Sequence, residues 1–332
     1  MVELNPVGGD ELGVSRFLGE RDPLALLAAE LGSGFIEYRR EWELAGSFAK
    51  LPAFPLHVDY ELKNECNLRC PMCLYGQLPR EPREMTKSEA LSLIRVGAGL
   101  GQRSMGFGGV WEPLTSPFLA ELVTEGRRQG LMDAMLNTNG LLLTRERGRE
   151  LIEAGLTRLM ISVDAASPEV YGRARPGGDF RLLENNILEF LATRQSLGRR
   201  LPLTRLSFCL TRHNELELPA FLRAWAGKVD FFSIQSYGRF SPTAPALWPK
   251  KFLSPPPGGR CPQPQQRLLI RANGQALPCC DLSGLSQVVG NWLESSLLEI
   301  WRGEAITTLR ARLAGPKNAW PEVCQACQAK YA

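Results

Sequence analysis

The chain has 332 residues, 44% of them hydrophobic and 22% charged, and its 39 basic and 35 acidic side chains leave a net charge of +4. That balance argues against a nucleic-acid partner, which demands a strongly basic face. There is no apolar run of about 18 residues to span a membrane, and the opening MVELNPVGGDELG lacks the basic and apolar regions of a secretory signal. A cytoplasmic protein is expected, either two domains or one barrel with an appendage. In that compartment nine cysteines point to metal or catalysis rather than disulfides. Two histidines, His57 and His213, are too few for a His-rich metal site or a His-based triad.

Residues 1–55 read as a helical extension, with apolar residues at helical spacing in DPLALLAAEL and aromatics among charges in FIEYRREWEL. It serves either as a packing arm or as a lip for a substrate or partner. From residue 56 short strands alternate with helices. The strand candidates are LHVDYEL (56–62), SMGFGGV (104–110), MDAMLN (132–137), RLMISVD (158–164), RLSFCLT (205–211) and DFFSIQS (230–236). Thr86 with Glu89 three residues on gives a capping-box spacing, and Ser167-Pro168 gives a cap followed by proline at the first helical position. Six such units over 56–240 predict parallel strands with right-handed crossovers.

The phase of alternation narrows the architecture. Leu159, Ile161 and Val163 face the helices, which leaves Met160, Ser162 and Asp164 on the other side. Val58, Tyr60 and Leu62 oppose His57, Asp59 and Glu61, and Leu206, Phe208 and Leu210 oppose Ser207 and Cys209. A doubly covered open sheet has near-continuous apolar strands. A polar inner face instead predicts a barrel whose lumen holds a ligand. The expected class is therefore α/β, a partial (β/α)6 TIM barrel over 56–240. Six prolines and two glycines mark 241–260 as a linker, and 261–332 is a small Cys-rich α+β module.

Seven cysteines fall in two sets. Cys66, Cys70 and Cys73 stand as C-x3-C-x2-C in ECNLRCPMC, just after the first strand. Three thiolates so placed can hold three corners of a [4Fe–4S] cube and leave one iron open. Structural zinc wants four ligands, and no fourth Cys or His lies nearby. Cys261, Cys279, Cys324 and Cys327, spaced C-x17-C-x44-C-x2-C, suffice for a closed site, iron–sulfur or zinc. Cys280, beside Cys279, is a spectator or a substitute ligand. Cys209, on the presumed lumen face, is a small core residue or a hydrogen-atom donor.

The three-cysteine motif in the loop after strand one of a six-unit series resembles the radical S-adenosylmethionine (radical SAM) superfamily. The resemblance covers roughly residues 56–240. GFGGVWEPL is similar to the family's glycine-rich segment that receives the methionine amino group, through Gly108, Gly109 and Glu112. Trp111 stands where a glycine is usual, and Met72 where an aromatic residue is frequent before the third cysteine. TNG (138–140) looks like the turn after strand three. ISVDAASPEVYGRAR looks like the ribose and carboxylate segment, with Ser162, Asp164 and Arg175. Residues 261–332 resemble the SPASM/Twitch module in its one-cluster form, which implies a second, auxiliary [4Fe–4S] cluster.

The resemblance implies an iron–sulfur enzyme that reductively cleaves S-adenosylmethionine, supplied with electrons by a flavodoxin or ferredoxin. A 5′-deoxyadenosyl radical then takes hydrogen from an unactivated carbon. Net oxidation or bond rearrangement of a ribosomal peptide or of a sugar- or cyclitol-like metabolite follows. Epimerisation with Cys209 as donor is the alternative, and a non-catalytic iron–sulfur or zinc protein is a remote one. Glu61, Asn137 and Gln235 share the lumen face and are candidate substrate contacts. The first 55 residues are short for a peptide-recognition domain, so a partner protein supplies recognition or the substrate is small.

Overall fold

The computed structural model describes residues 4–9, 15–77, 82–109, 111–237, 246–247, 260–279 and 287–329. The chain opens with two strands, β1 (Asn5–Gly9) and β2 (Ser15–Gly19), then helices α1 (Pro23–Leu31) and α2 (Ser33–Gly46). Asp22 caps α1 by accepting from the Leu24 amide at 2.9 Å, and Pro23 takes the first helical position, where its missing N–H costs nothing.

The extension is therefore not wholly helical. NPVGG reads locally as a turn, yet β1 and β2 pair antiparallel, and β2 adds antiparallel to the last barrel strand, with Phe17 packing edge-on to Phe231 at 5.8 Å. The two helices pack against the barrel. Phe35, Tyr38 and Trp42 of α2 bury with Leu56, Leu203 and Phe231. Those last three stand at the N-terminal ends of their strands, so the helices floor the inner face.

The six expected units follow. Strands β3 (His57–Tyr60), β4 (Ser104–Phe107), β5 (Asp133–Thr138), β6 (Arg158–Ser162), β7 (Leu203–Leu210) and β8 (Phe231–Ser236) lie parallel in chain order. Between them run α3 (Lys87–Leu100), α4 (Leu119–Arg128), α5 (Arg145–Glu153), the pair α6 (Pro168–Ala174) and α7 (Phe180–Ser196), and α8 (Leu218–Trp225). The Thr86–Glu89 capping box forms at the start of α3, and the Ser167 hydroxyl accepts from the Val170 amide at the start of α6. This is a partial TIM barrel.

The strand phase is as read. Val58, Tyr60, Leu159, Ile161, Leu206 and Phe208 lie in the main core, each at most 1% exposed. Their neighbours in sequence face the lumen.

The Cys-rich region is not set apart by the linker. It contains α9 (Gln263–Gln266), β9 (Arg267–Ile270), β10 (Gln275–Leu277), β11 (Gly290–Asn291), α10 (Leu297–Arg302), α11 (Glu304–Ala314) and α12 (Glu322–Ala329). β9 pairs parallel with β3 along His57–Tyr60, and β10 and β11 continue antiparallel. One sheet of eleven described strands results, ordered β1-β2-β8-β7-β6-β5-β4-β3-β9-β10-β11. An open β3 edge demands a partner, and the apolar LLI of β9 supplies it. Of the linker, Ala246, Leu247 and Arg260 are described; Cys280 lies outside the described residues.

Candidate active site

The loop after β3 carries Cys66, Cys70 and Cys73 as free, half-buried thiols. Backbone amides face two of the sulfurs: Leu68 N lies 3.5 Å from Cys66 Sγ and Tyr75 N lies 3.4 Å from Cys73 Sγ. Leu74, Tyr75, Trp111, Leu269 and Leu277 form an apolar wall against Cys66 and Cys73. Burial pushes all three thiols up, Cys73 to about 11. Among the described residues no three His, Cys, Asp or Glu side chains close on one point, as ligands to a single ion do. A four-iron cube spreads its thiolates over separate irons. Amide donors aimed at sulfur and an apolar wall suit such a cube, whose charge replaces the thiol protons.

Glu112 is 1% exposed, and its carboxylate is spoken for. It accepts from the Thr138 hydroxyl at 2.6 Å, the Asn139 amide at 2.7 Å and the Leu114 amide at 3.0 Å. The sequence reading placed Glu112 among cofactor contacts. Its side chain fixes the turn after β5. Asn139 in that turn reaches 3.9 Å from Cys66 Sγ and donates to Asn67 Oδ1 at 2.7 Å. Gly109 sits at φ +122°, where a Cβ would strike the Trp111 ring at 2.7 Å. The tryptophan thus fits beside the glycines by packing over one of them. A Cβ on Gly108 would meet Asn137 at 2.7 Å, which keeps the end of β4 open for close backbone approach.

Just past β6, Asp164 adopts a left-handed φ of +62°, a conformation Asp tolerates better than most residues. Its Oδ2 accepts from Arg175 Nε at 2.9 Å and Nη2 at 2.5 Å, its Oδ1 from the Cys209 amide at 2.6 Å. Asn214 donates to the Asp164 carbonyl at 2.9 Å. The remaining guanidinium nitrogen, Arg175 Nη1, lies 3.8 Å from Cys70 Sγ. Of the expected cofactor residues, Asp164 and Arg175 are thus paired with each other, and Asp164 also holds the Cys209 amide. Ser162 lies opposite Ser207 in the ladder, half-buried on the inner face.

Cys209 is on the inner face of β7, with Gln235 opposite it in β8. Burial, then the Asp164 charge, push its thiol far up, so it stays protonated. Of the proposed substrate contacts, Asn137 is exposed and Gln235 half-buried. Glu61 is fully buried and pairs with Arg271, just beyond β9, at 3.1 Å. It braces the C-terminal region against β3. Arg205, missed in the sequence, shares the inner parity of Ser207 and Cys209 and donates to Asn137 Oδ1 at 3.4 Å. A cavity of about 250 Å³ lined by Glu41, Lys50, Phe54 and Arg103 lies at the N-terminal end, away from these residues.

In the C-terminal region, Cys261 precedes α9, Cys279 follows β10, and Cys324 and Cys327 lie three residues apart on α12. All four are half-buried. Cys261 and Cys324 pack against the main core.

Residues 60–197 match the radical SAM superfamily, and residues 261–328 match the SPASM iron–sulfur cluster-binding domain. A GTP 3′,8-cyclase of Limosilactobacillus fermentum is 34% identical over 145 residues, 42% of each chain. The chain thus spans less than half the length of that cyclase. The PqqA peptide cyclase of Gluconobacter oxydans is 26% identical over 84% of each chain. Two solved structures share the fold. SuiB of Streptococcus suis has a TM-score of 0.63 at 15% identity, covering 78% of this chain and 68% of that one. BtrN, solved with AdoMet and 2-DOIA, has a TM-score of 0.57 at 16% identity, covering 83% and 93%. With three thiols at the mouth of a partial barrel and a second cysteine-bearing region joined to its sheet, residues 60–197 of this chain form a radical SAM domain and residues 261–328 a SPASM iron–sulfur cluster-binding domain.

Proposed function

We propose that this enzyme takes a hydrogen atom from an unactivated carbon of a peptide, with net oxidation or bond rearrangement. The placement of Cys66, Cys70 and Cys73 at the C-terminal mouth of a polar inner face supports the reading, because barrel ligands gather there. When bound, an open [4Fe–4S] cluster and S-adenosylmethionine supply the 5′-deoxyadenosyl radical.

The chain's own residues position and enclose. Gly108 and Gly109 let backbone approach the cofactor, Ser162 lines the opposite wall, and Glu112 holds the turn between them. Asn137, Gln235 and Arg205 offer polar contacts to a substrate on the inner face. The floor formed by α2 closes the far end, which limits water. Exclusion and alignment are what a protein adds to such cofactor chemistry. Cys261, Cys279, Cys324 and Cys327 would hold one auxiliary cluster, which would offer a route for the electron left on the substrate. A flavodoxin or ferredoxin supplies the reducing electron.

Likeness to PqqA peptide cyclase over 84% of each chain supports a peptide substrate. The likeness in fold to BtrN supports a second reading, a small cyclitol-like substrate. Label transfer separates them. Deuterium-grown cell extract is divided by size into a peptide and a small-metabolite fraction. Each is incubated anaerobically with reduced enzyme and unlabelled S-adenosylmethionine. Deuterium entering 5′-deoxyadenosine from the peptide fraction is expected; entry from the small-metabolite fraction alone overturns the peptide reading.

A further inference from the structure

We infer that Arg175, held by Asp164, sets the reduction potential of the iron–sulfur centre at Cys66, Cys70 and Cys73. In the structure the Cys70 thiol sulfur stands for the thiolate that ligates iron. Arg175 Nη1 lies 3.8 Å from it. The other donors to these sulfurs among the described residues are neutral: the Leu68 and Tyr75 amides and the Asn139 carboxamide. A cation that donates to a ligand sulfur draws electron density away and favours the reduced, more negative cluster. Net charge and hydrogen bonds to sulfur are among the determinants of such potentials.

The arrangement is built to hold the guanidinium there. The Arg175 and Asp164 side chains are 11% and 2% exposed. Nε and Nη2 both grip one carboxylate oxygen, while the other oxygen is anchored by the Cys209 amide of β7. Asn214 fixes the Asp164 backbone in its left-handed conformation. Arg175 therefore cannot swing from Cys70 without breaking a buried, charge-assisted pair. Asp164 acts through Arg175 and is a positioning residue. Its own negative charge tempers the cation, so the pair gives a fixed, moderated field at one corner of the cluster.

The inference rests on the cluster assignment proposed above. It is tested by redox titration of the anaerobic holoenzyme, without S-adenosylmethionine, followed by electron paramagnetic resonance. The relevant signal is the one that Cys70→Ala abolishes. Arg175→Ala is expected to lower the midpoint, reducing the ratio of reduced to oxidised cluster about tenfold at fixed poise, which is about 59 mV for one electron. Arg175→Lys, which keeps a charge within reach, is expected to retain most of the wild-type potential. The double variant Asp164→Asn, Arg175→Ala removes the bare carboxylate and is expected to recover part of the loss. Should Arg175→Ala load no iron, Arg175→Gln decides in its place, with the same direction expected. A wild-type midpoint in the iron-loaded variant overturns the inference alone. Wild-type protein with no Cys70-dependent signal overturns the cluster assignment itself.

Discussion

Glu112 shows how far a motif carries and where geometry takes over. The glycine-rich segment marks it as important, but only the fold shows three donors converging on its carboxylate from positions 114, 138 and 139. Hydrogen bonds to a charged group contribute about 1.5–3 kcal/mol each, and removal of the acceptor leaves buried donors unmatched. Glu112→Ala is therefore expected to destabilise the protein by about 3 kcal/mol in urea unfolding and to slow turnover by loosening the Thr138–Asn139 turn. A loss below about 0.5 kcal/mol would mean that the turn holds itself. Arg175 and Asp164 teach the same lesson. Their types and spacing were legible, but not their commitment to each other, because an Arg at that position can face a ligand or a neighbour equally well. Arg205 carried a signal in its inward parity, though nothing local separates an inward arginine from a solvated one. At Cys209 two outcomes part cleanly. We expect Cys209→Ala to keep most of its turnover, and product formed in deuterated water to gain no carbon-bound deuterium. A variant that releases 5′-deoxyadenosine without product, with one solvent deuterium in the wild-type product, establishes an epimerase.

Among the elements, those whose signals are local were readable: the capping box before α3, the Ser-Pro start of α6 and the alternation of the six barrel strands. Those that form by docking were not. β1 contains a proline and two glycines and becomes a strand because β2 pairs with it, β2 being held in turn by β8. β9 is separated from β3 by more than 200 residues yet forms its other ladder partner. The apolar run of β9 indicates burial but does not identify the edge it covers. An acid-sensitive joint links α3 and α4. Glu125 on α4 accepts from Arg128 at 2.8 Å, Arg95 of α3 at 2.7 Å and Gln129 at 2.9 Å, which holds its carboxyl at about 2 against an ordinary 4.5. With the folded value depressed, its contribution is complete above pH about 4.5 and is lost as pH falls towards 2. Glu125→Gln should flatten that segment of the stability profile in urea titrations at successive pH values. Parallel profiles for variant and wild type would show that the joint contributes nothing.

At the scale of the whole molecule, one sheet runs from the N-terminal hairpin through the barrel to the cysteine-bearing C-terminal region. The sequence suggested a boundary at the proline-rich linker, and composition alone could not reveal that β9 rejoins the barrel beyond it. This continuity places Leu269 and Leu277 in the apolar wall against Cys66 and Cys73, so the two cysteine regions share packing. Anaerobically reconstituted protein is expected to hold about eight irons, falling to about four when Cys66, Cys70 and Cys73 are replaced by Ala. Four irons with zinc in the wild type would leave the barrel reading intact and remove the auxiliary cluster. The central claim is that Cys66, Cys70 and Cys73 make this chain a radical enzyme, and release of 5′-deoxyadenosine tests it most directly. Reduced, iron-loaded wild-type protein given S-adenosylmethionine without oxygen is expected to release it, and folded Cys70→Ala protein to release none. Equal release from both, or none from wild type that holds its irons, would contradict the account.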